Sequence, residues 1–171
     1  VDVPLRGEHY SSSEAHDWTT NSGRYYLREV SVPDGYLIEQ SVIPVEFTYE
    51  NQFIAWQVVD CLHSDKQTTV EIDKRAFTSD SDDTFALTGA TLTVTDWNGN
   101  VVDSWESSDT AHVIRGLHLS HDFAGNRDTT KIYTLSETRP ADGYTTARSI
   151  QFRLEQATGD NSYLQETTVW V

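Results

Sequence analysis

Polar and apolar residues alternate with a period of two along much of the chain. Val70, Ile72 and Lys74 alternate with Glu71 and Asp73, and Ala90, Leu92 and Val94 alternate with Thr91, Thr93 and Thr95. Ile150, Phe152 and Leu154 alternate with Gln151, Arg153 and Glu155. Side chains of a strand point to opposite faces in turn, so each run predicts a half-buried strand, and β-branched residues suit such a pleated surface. Asn98-Gly99 falls between Val94 and Val101-Val102. It predicts a tight hairpin, because both residues tolerate positive φ. Helical periodicity is weak everywhere, and the one candidate, residues 11–16, is short and Ser-rich. With turn signals at intervals of roughly 8–12 residues, the pattern predicts an all-β chain folded as a sandwich.

A long-period repeat overlies this alternation. Residues 25–36 read YYLREVSVPDGY and residues 133–144 read YTLSETRPADGY, an offset of 133 − 25 = 108. Tyr, Leu, Glu, Asp, Gly and Tyr coincide in order, while Pro33 and Pro140 differ by one place. Upstream, His16-Asp17-Trp18 is similar to His121-Asp122-Phe123; downstream, Val45-Glu46-Phe47 takes the place of Ile150-Gln151-Phe152. Repeats of this kind are read as successive structural units. A period of 108 does not fit twice into 171 residues. The expectation is a nearly complete second unit over 66–171, preceded over 1–65 by the end of a first unit whose opening strands are missing. The absence of Met, even at position 1, agrees with a piece of a longer chain. The join near 62–68 has no Gly/Pro linker, which predicts a short, stiff connection.

Composition narrows the function classes. Acidic residues number 27 against 12 basic ones, a formal charge of −15 at pH 7, so phosphate-rich surfaces would repel the chain. Nucleic-acid and anionic-membrane partners are therefore not expected. Five Trp, eight Tyr and six Phe are too many for a disordered tail. No apolar run approaches the roughly 20 residues of a membrane span, and no signal segment opens the chain. The single cysteine, Cys61, excludes an internal disulfide and a Cys-based zinc site, and reads as a small apolar strand residue.

Two charged residues occupy inward positions. Lys74 shares a face with Val70 and Ile72, and Glu137 with Tyr133 and Leu135. Only three lysines are present, which makes this placement notable. Buried charge is costly unless paired; isolated, a lysine gives up its proton and a carboxyl group takes one. A neutral amine is a nucleophile and a carboxylic acid a proton donor, so a nearby Asn or Asp side chain could be converted to an isopeptide with loss of ammonia or water. A Lys–Glu ion pair at a strand end explains the same pattern.

The two repeated segments resemble the E-box of collagen-adhesin B-type (CnaB, prealbumin-like) repeats of Gram-positive surface proteins and pilins. VEIDKRAF (70–77) and LTGATLTVTDWNGNVV (87–102) are similar to that family's opening strand and Gly-Ala hairpin, and VEFTYENQFIAWQVVD (45–60) resembles a segment of wall-anchored repeat proteins. The resemblance implies a prealbumin-like, Ig-like sandwich of CnaB type and an autocatalytic isopeptide bond. Lys74 and Glu137 would be the lysine and acid of the second repeat, and Glu29 the acid of the first. The acceptor lies on the last strand in this family. That position falls near Asp65 in the first repeat, where Asn is usual, and past Thr168-Val169-Trp170-Val171 in the second. Asn161 is the nearest internal candidate, in a Gly-Asp-Asn-Ser turn. Neither unit holds a full triad, so no closed bond is expected within these residues.

The implied function is structural and non-enzymatic: a stalk segment of a wall-anchored adhesin or pilin-like protein outside a bacterial cell. It would need no cofactor or metal, and its partners would be neighbouring repeats of the chain. Exposed edges of the truncated repeat could pair two chains. The rival reading is a module that binds a glycan or host matrix protein through the long loop 117–132, with Trp56, Trp97 and Trp105 as stacking surfaces; between the sheets, the same tryptophans would be core. The acidic run Ser79-Asp80-Ser81-Asp82-Asp83 lacks the Gly and distal Glu of a calcium loop, and His118 and His121 have no metal-site context.

Overall fold

The computed structural model describes residues 24–39, 41–46, 58–62, 64–77, 82–122, 124–157 and 167–171. Regular structure among them is entirely β. The strands are β1 (Arg24–Leu27), β2 (Tyr36–Leu37), β3 (Ile43–Glu46), β4 (Lys66–Gln67), β5 (Thr69–Ile72), β6 (Arg75–Phe77) and β7 (Thr84–Ala86). They continue with β8 (Thr91–Thr95), β9 (Val101–Glu106), β10 (His112–Arg115), β11 (Tyr133–Arg139), β12 (Ile150–Gln156) and β13 (Thr167–Trp170).

A five-stranded antiparallel sheet in the order β13-β12-β11-β8-β9 faces the β5–β10 pair. Val94, Tyr133, Phe152 and Leu154 from the first layer meet Val70, Ile114 and Leu117 from the second side, which makes the arrangement a β-sandwich. The expected alternation holds in β8, where Ala90, Leu92 and Val94 are buried. In β12 the inward set is Phe152, Leu154 and Gln156, and Ile150 is exposed. The alternation from Thr68 to Phe77 also persists, yet it is not one strand: β5 pairs with β10 and β6 with β7. Lys74 sits at the switch between them, its carbonyl accepting the Leu87 N–H at 2.8 Å.

The repeat is visible as geometry. Leu27 faces Ile43 and Tyr25 faces Val45 in the β1–β3 hairpin, as Leu135 faces Ile150 and Tyr133 faces Phe152 in β11–β12. The residues standing in for Ile150-Gln151-Phe152 are thus Ile43-Pro44-Val45, two places earlier than the sequence alignment puts them. The alternation is the same in either register, so the hydrophobic pattern alone could not separate them. The turns match as well. Tyr36 N–H donates to Pro33 O at 3.2 Å and Tyr144 N–H to Ala141 O at 3.0 Å, with Gly35 at φ 85° and Gly143 at φ 83°. Positive φ at the third position is the type II geometry that calls for glycine.

The Asn98-Gly99 hairpin forms, but in a different turn. No described non-glycine residue has positive φ, so Asn98 does not take the conformation of a two-residue primed turn. Asp96 instead organises the loop, accepting the backbone N–H groups of Asn98 and Asn100 at 2.9 and 2.8 Å and the Asn100 side-chain amide at 2.9 Å. The Asn100 side-chain amide, helped by its backbone N–H, holds the Asp96 carboxyl below the usual range. The same Asp-to-Asn bonding recurs between Asp122 and Asn126. There Asn126 donates its backbone N–H and its side-chain amide to Asp122 at 2.9 and 2.7 Å. The D-x-x-G-N spacing common to both stretches was the signal for this second turn.

One expectation near the join is corrected. Cys61 lies exposed in the irregular stretch 58–62 and is not a strand residue. Val58 and Leu62 are exposed too, so this apolar run buries itself against no described strand.

Candidate functional site

Strand β11 carries Glu137 opposite Leu92 of β8, in the middle of the five-stranded sheet, and the short link between β5 and β6 carries Lys74 to it. Lys74 Nζ lies 3.2 Å from Glu137 Oε1, with the Glu137 side chain 1% exposed and that of Lys74 16%. Glu137 Oε2 accepts the Ala147 N–H from the segment leading into β12. Oε1 makes no hydrogen bond among the described residues beyond this ionic contact. Such a pair costs desolvation on both sides, which its mutual attraction and the backbone hydrogen bond offset. It leaves one carboxyl oxygen able to take a proton and present it to an adjacent carbonyl. Ala76 of β6, with Leu87 and Ala90 ahead of β8 and Ala141 after β11, forms a separate buried cluster. Ser107 fixes the Leu87–Ala90 bend, donating its hydroxyl to Leu87 O at 2.7 Å and accepting the Ala90 N–H at 3.0 Å.

Glu29 repeats half of this arrangement. Its Oε2 accepts the Glu39 N–H at 2.6 Å, ten residues on, as Glu137 accepts that of Ala147, ten residues on. The repeat therefore extends to the carboxyl orientation. Asp65 is exposed directly before β4, and Asn161 lies outside the described residues. The structure brings Lys74 and Glu137 together and gives neither an Asn nor an Asp side chain as a hydrogen-bond or ionic partner among the described residues. Ala147 could not be found from side-chain chemistry, because what it contributes is a backbone N–H.

The other candidates are engaged elsewhere. Trp97 packs against the core, edge-on to Tyr133 at 5.6 Å and to His118 at 5.3 Å, with Lys131 Nζ 3.8 Å from its ring centre. Trp105 also packs against the core and stacks on His112 at 4.1 Å; His112 Nε2 is 2.8 Å from Asp103 Oδ2. Trp56 and residues 78–81 lie outside the described residues. His118 Nδ1 meets Asp34 at 3.3 Å, and His121 accepts from Arg127 Nε at 3.3 Å. No group of three or more His, Cys, Asp or Glu among the described residues is placed to hold a metal. Burial pushes the Tyr133 phenol up to about 12, although its oxygen accepts the His118 N–H at 2.9 Å.

The stretches on either side of residue 66 meet through the first turn. Tyr36–Leu37 pairs with Lys66–Gln67, and Thr68 N–H donates to Gly35 O at 2.9 Å. Gln156 donates to Ile38 O at 2.6 Å and accepts its N–H at 2.9 Å. The alternation through Leu154 reaches Gln156 two residues on, which sequence reasoning missed; its partner 118 residues away had no local signal. Comparison with protein-family models and with curated proteins gives no match.

Proposed function

We propose that the chain is a shaft segment of a bacterial cell-surface adhesin or pilin-like protein, built from tandem prealbumin-like CnaB-type units, with Lys74 and Glu137 the bond-forming pair of the second unit. The observation that carries this reading is the buried Lys74–Glu137 contact at 3.2 Å, with the Glu137 carboxyl oriented by a backbone N–H just as Glu29 is in the other repeat. Transfer of a proton from Nζ to Oε1 makes a neutral amine and a carboxylic acid. The amine then attacks the Cγ of an Asn on an adjoining final strand while Glu137 protonates its oxygen. That attack forms the Nζ–Cγ bond, and Glu137 then relays the proton lost from Nζ to the leaving group. Collapse restores the carbonyl as the Cγ–Nδ2 bond breaks and ammonia leaves, or the Cγ–O bond of an Asp breaks and water leaves. A covalent tie between first and last strands carries load that hydrogen bonds alone would not, which is the use of such a bond in a shaft outside the cell. The tryptophans that would favour a glycan-binding module pack inward at positions 97 and 105.

The test is peptide mapping of the parent protein from its native surface. The reading expects Lys74 in a branched peptide joined to an Asn or Asp residue, and loss of that peptide in Glu137→Ala. An unmodified Lys74 peptide in full yield would overturn the bond-forming role.

A further inference from the structure

The two copies of the Asp-Gly-Tyr turn stand in opposite situations. In the first, each of the three residues touches the second unit. Asp34 Oδ2 is 3.3 Å from His118 Nδ1, and Tyr36 Oη accepts from Gln67 Nε2 at 3.4 Å. Gly35 O accepts the Thr68 N–H, and a Cβ on Gly35 would stand 2.5 Å from Gly116 O. Leu37 and Ile38, which follow, are 2% and 1% exposed. In the second copy, Asp142, Gly143 and Tyr144 keep the same residue types, the same turn hydrogen bond and the same φ, yet all three are exposed. Nothing described lies within 4 Å of where a Gly143 Cβ would be.

From this we infer that Asp142-Gly143-Tyr144 is a docking plug for a further unit in tandem on the same chain, received by that unit's counterparts of Gln67-Thr68 and Gly116-Leu117-His118. The contacts the first turn makes run mostly through its backbone, including the paired bonds of Ile38 with Gln156. Thr145-Thr146 in place of Leu37-Ile38 therefore keeps the ladder and surrenders apolar burial, which makes this joint the weaker of the two. The inference rests on the tandem-unit part of the proposed function and not on the bond chemistry.

The test appends a second copy of residues 66–171 directly after Val171 of the full chain. The added Lys66 then stands 172 − 144 = 28 residues past Tyr144, against 66 − 36 = 30 in the existing joint. Hydrogen–deuterium exchange of residues 141–147 is compared in the two chains. Docking slows exchange there by at least about tenfold while the amides of β11 and β12 are unchanged. Gly143→Ala in the extended chain restores the original rate, because the added methyl meets the receiving backbone. Unchanged exchange at 141–147 overturns the proposal, and so does protection that survives Gly143→Ala. An appended unit that fails to protect its own β12 also counts against it, since Gln156 at the end of that strand bonds Ile38 just after the equivalent turn here. Loss of the branched peptide would leave this result untouched, so the two readings fail separately.

Discussion

Glu137, the acid of the proposed chemistry, also carries a share of the stability through its contacts with Lys74 and the Ala147 N–H. Replacing it with Ala removes the partner of a mostly buried lysine and the acceptor of the Ala147 N–H. The expected loss is roughly 2–4 kcal/mol in denaturant unfolding, below the full cost of a broken interior pair because Lys74 keeps some access to water. Glu137→Gln keeps the acceptor and loses less; equal losses for the two would mean the backbone contact does not matter. Tyr133 supplies a pH prediction. Its folded value of about 12 stands above the ordinary 10, so its stabilising contribution is complete below pH 10. Above that the unfolded chain releases its proton first, and stability falls as pH rises from about 10 to 12. Denaturation midpoints across this range should drop for the wild type and drop less for Tyr133→Phe. At this scale the sequence was informative where side chains act. Period two put Lys74 and Glu137 on inward faces, and both point there. It was silent on Ala147, whose contribution is a main-chain hydrogen bond set by how 144–149 returns to the sheet.

Elements show which constraints are local. The hairpins β8–β9 and β11–β12 follow from alternation and turn residues, both of which act within a few positions. The register of β1 with β3 and the break between β5 and β6 depend on partners distant in sequence, and were misread or invisible. Gly35 and Gly143 separate local from distant effects in one experiment. Both hold nearly the same positive φ, so Ala at either site meets the same backbone penalty of about 1–2 kcal/mol. Only at Gly35 does the methyl also strike Gly116 O. Gly35→Ala should therefore cost at least about 1 kcal/mol more than Gly143→Ala in paired denaturant titrations, the margin expected of overpacking. Equal costs would show that the joint yields freely.

Across the whole molecule, the repeat organises what the elements leave unexplained. One turn contacts residues 67–68 and 116–118, its copy is exposed, and both glutamates are held by a main-chain N–H ten residues on. The charge of −15 spread over such units favours solubility and mutual repulsion. The class of fold, the repeat and the inward Lys–Glu pair were legible because each is a pattern within the chain. The joint between repeats was not, because its bonds join residues 118 positions apart by backbone and amide groups that carry no periodic signature.

The most direct test of the central claim, that Lys74 forms a covalent tie with a final strand and Glu137 serves as its acid, is intact mass under denaturing conditions. It is measured on the 171-residue chain and on the parent sequence continued past Val171 through its next strand. The account predicts that the first matches its sequence and the second is lighter by one ammonia or one water, with the deficit abolished by Lys74→Ala. Two masses that both match their sequences would contradict it and leave Lys74 and Glu137 as an ion pair.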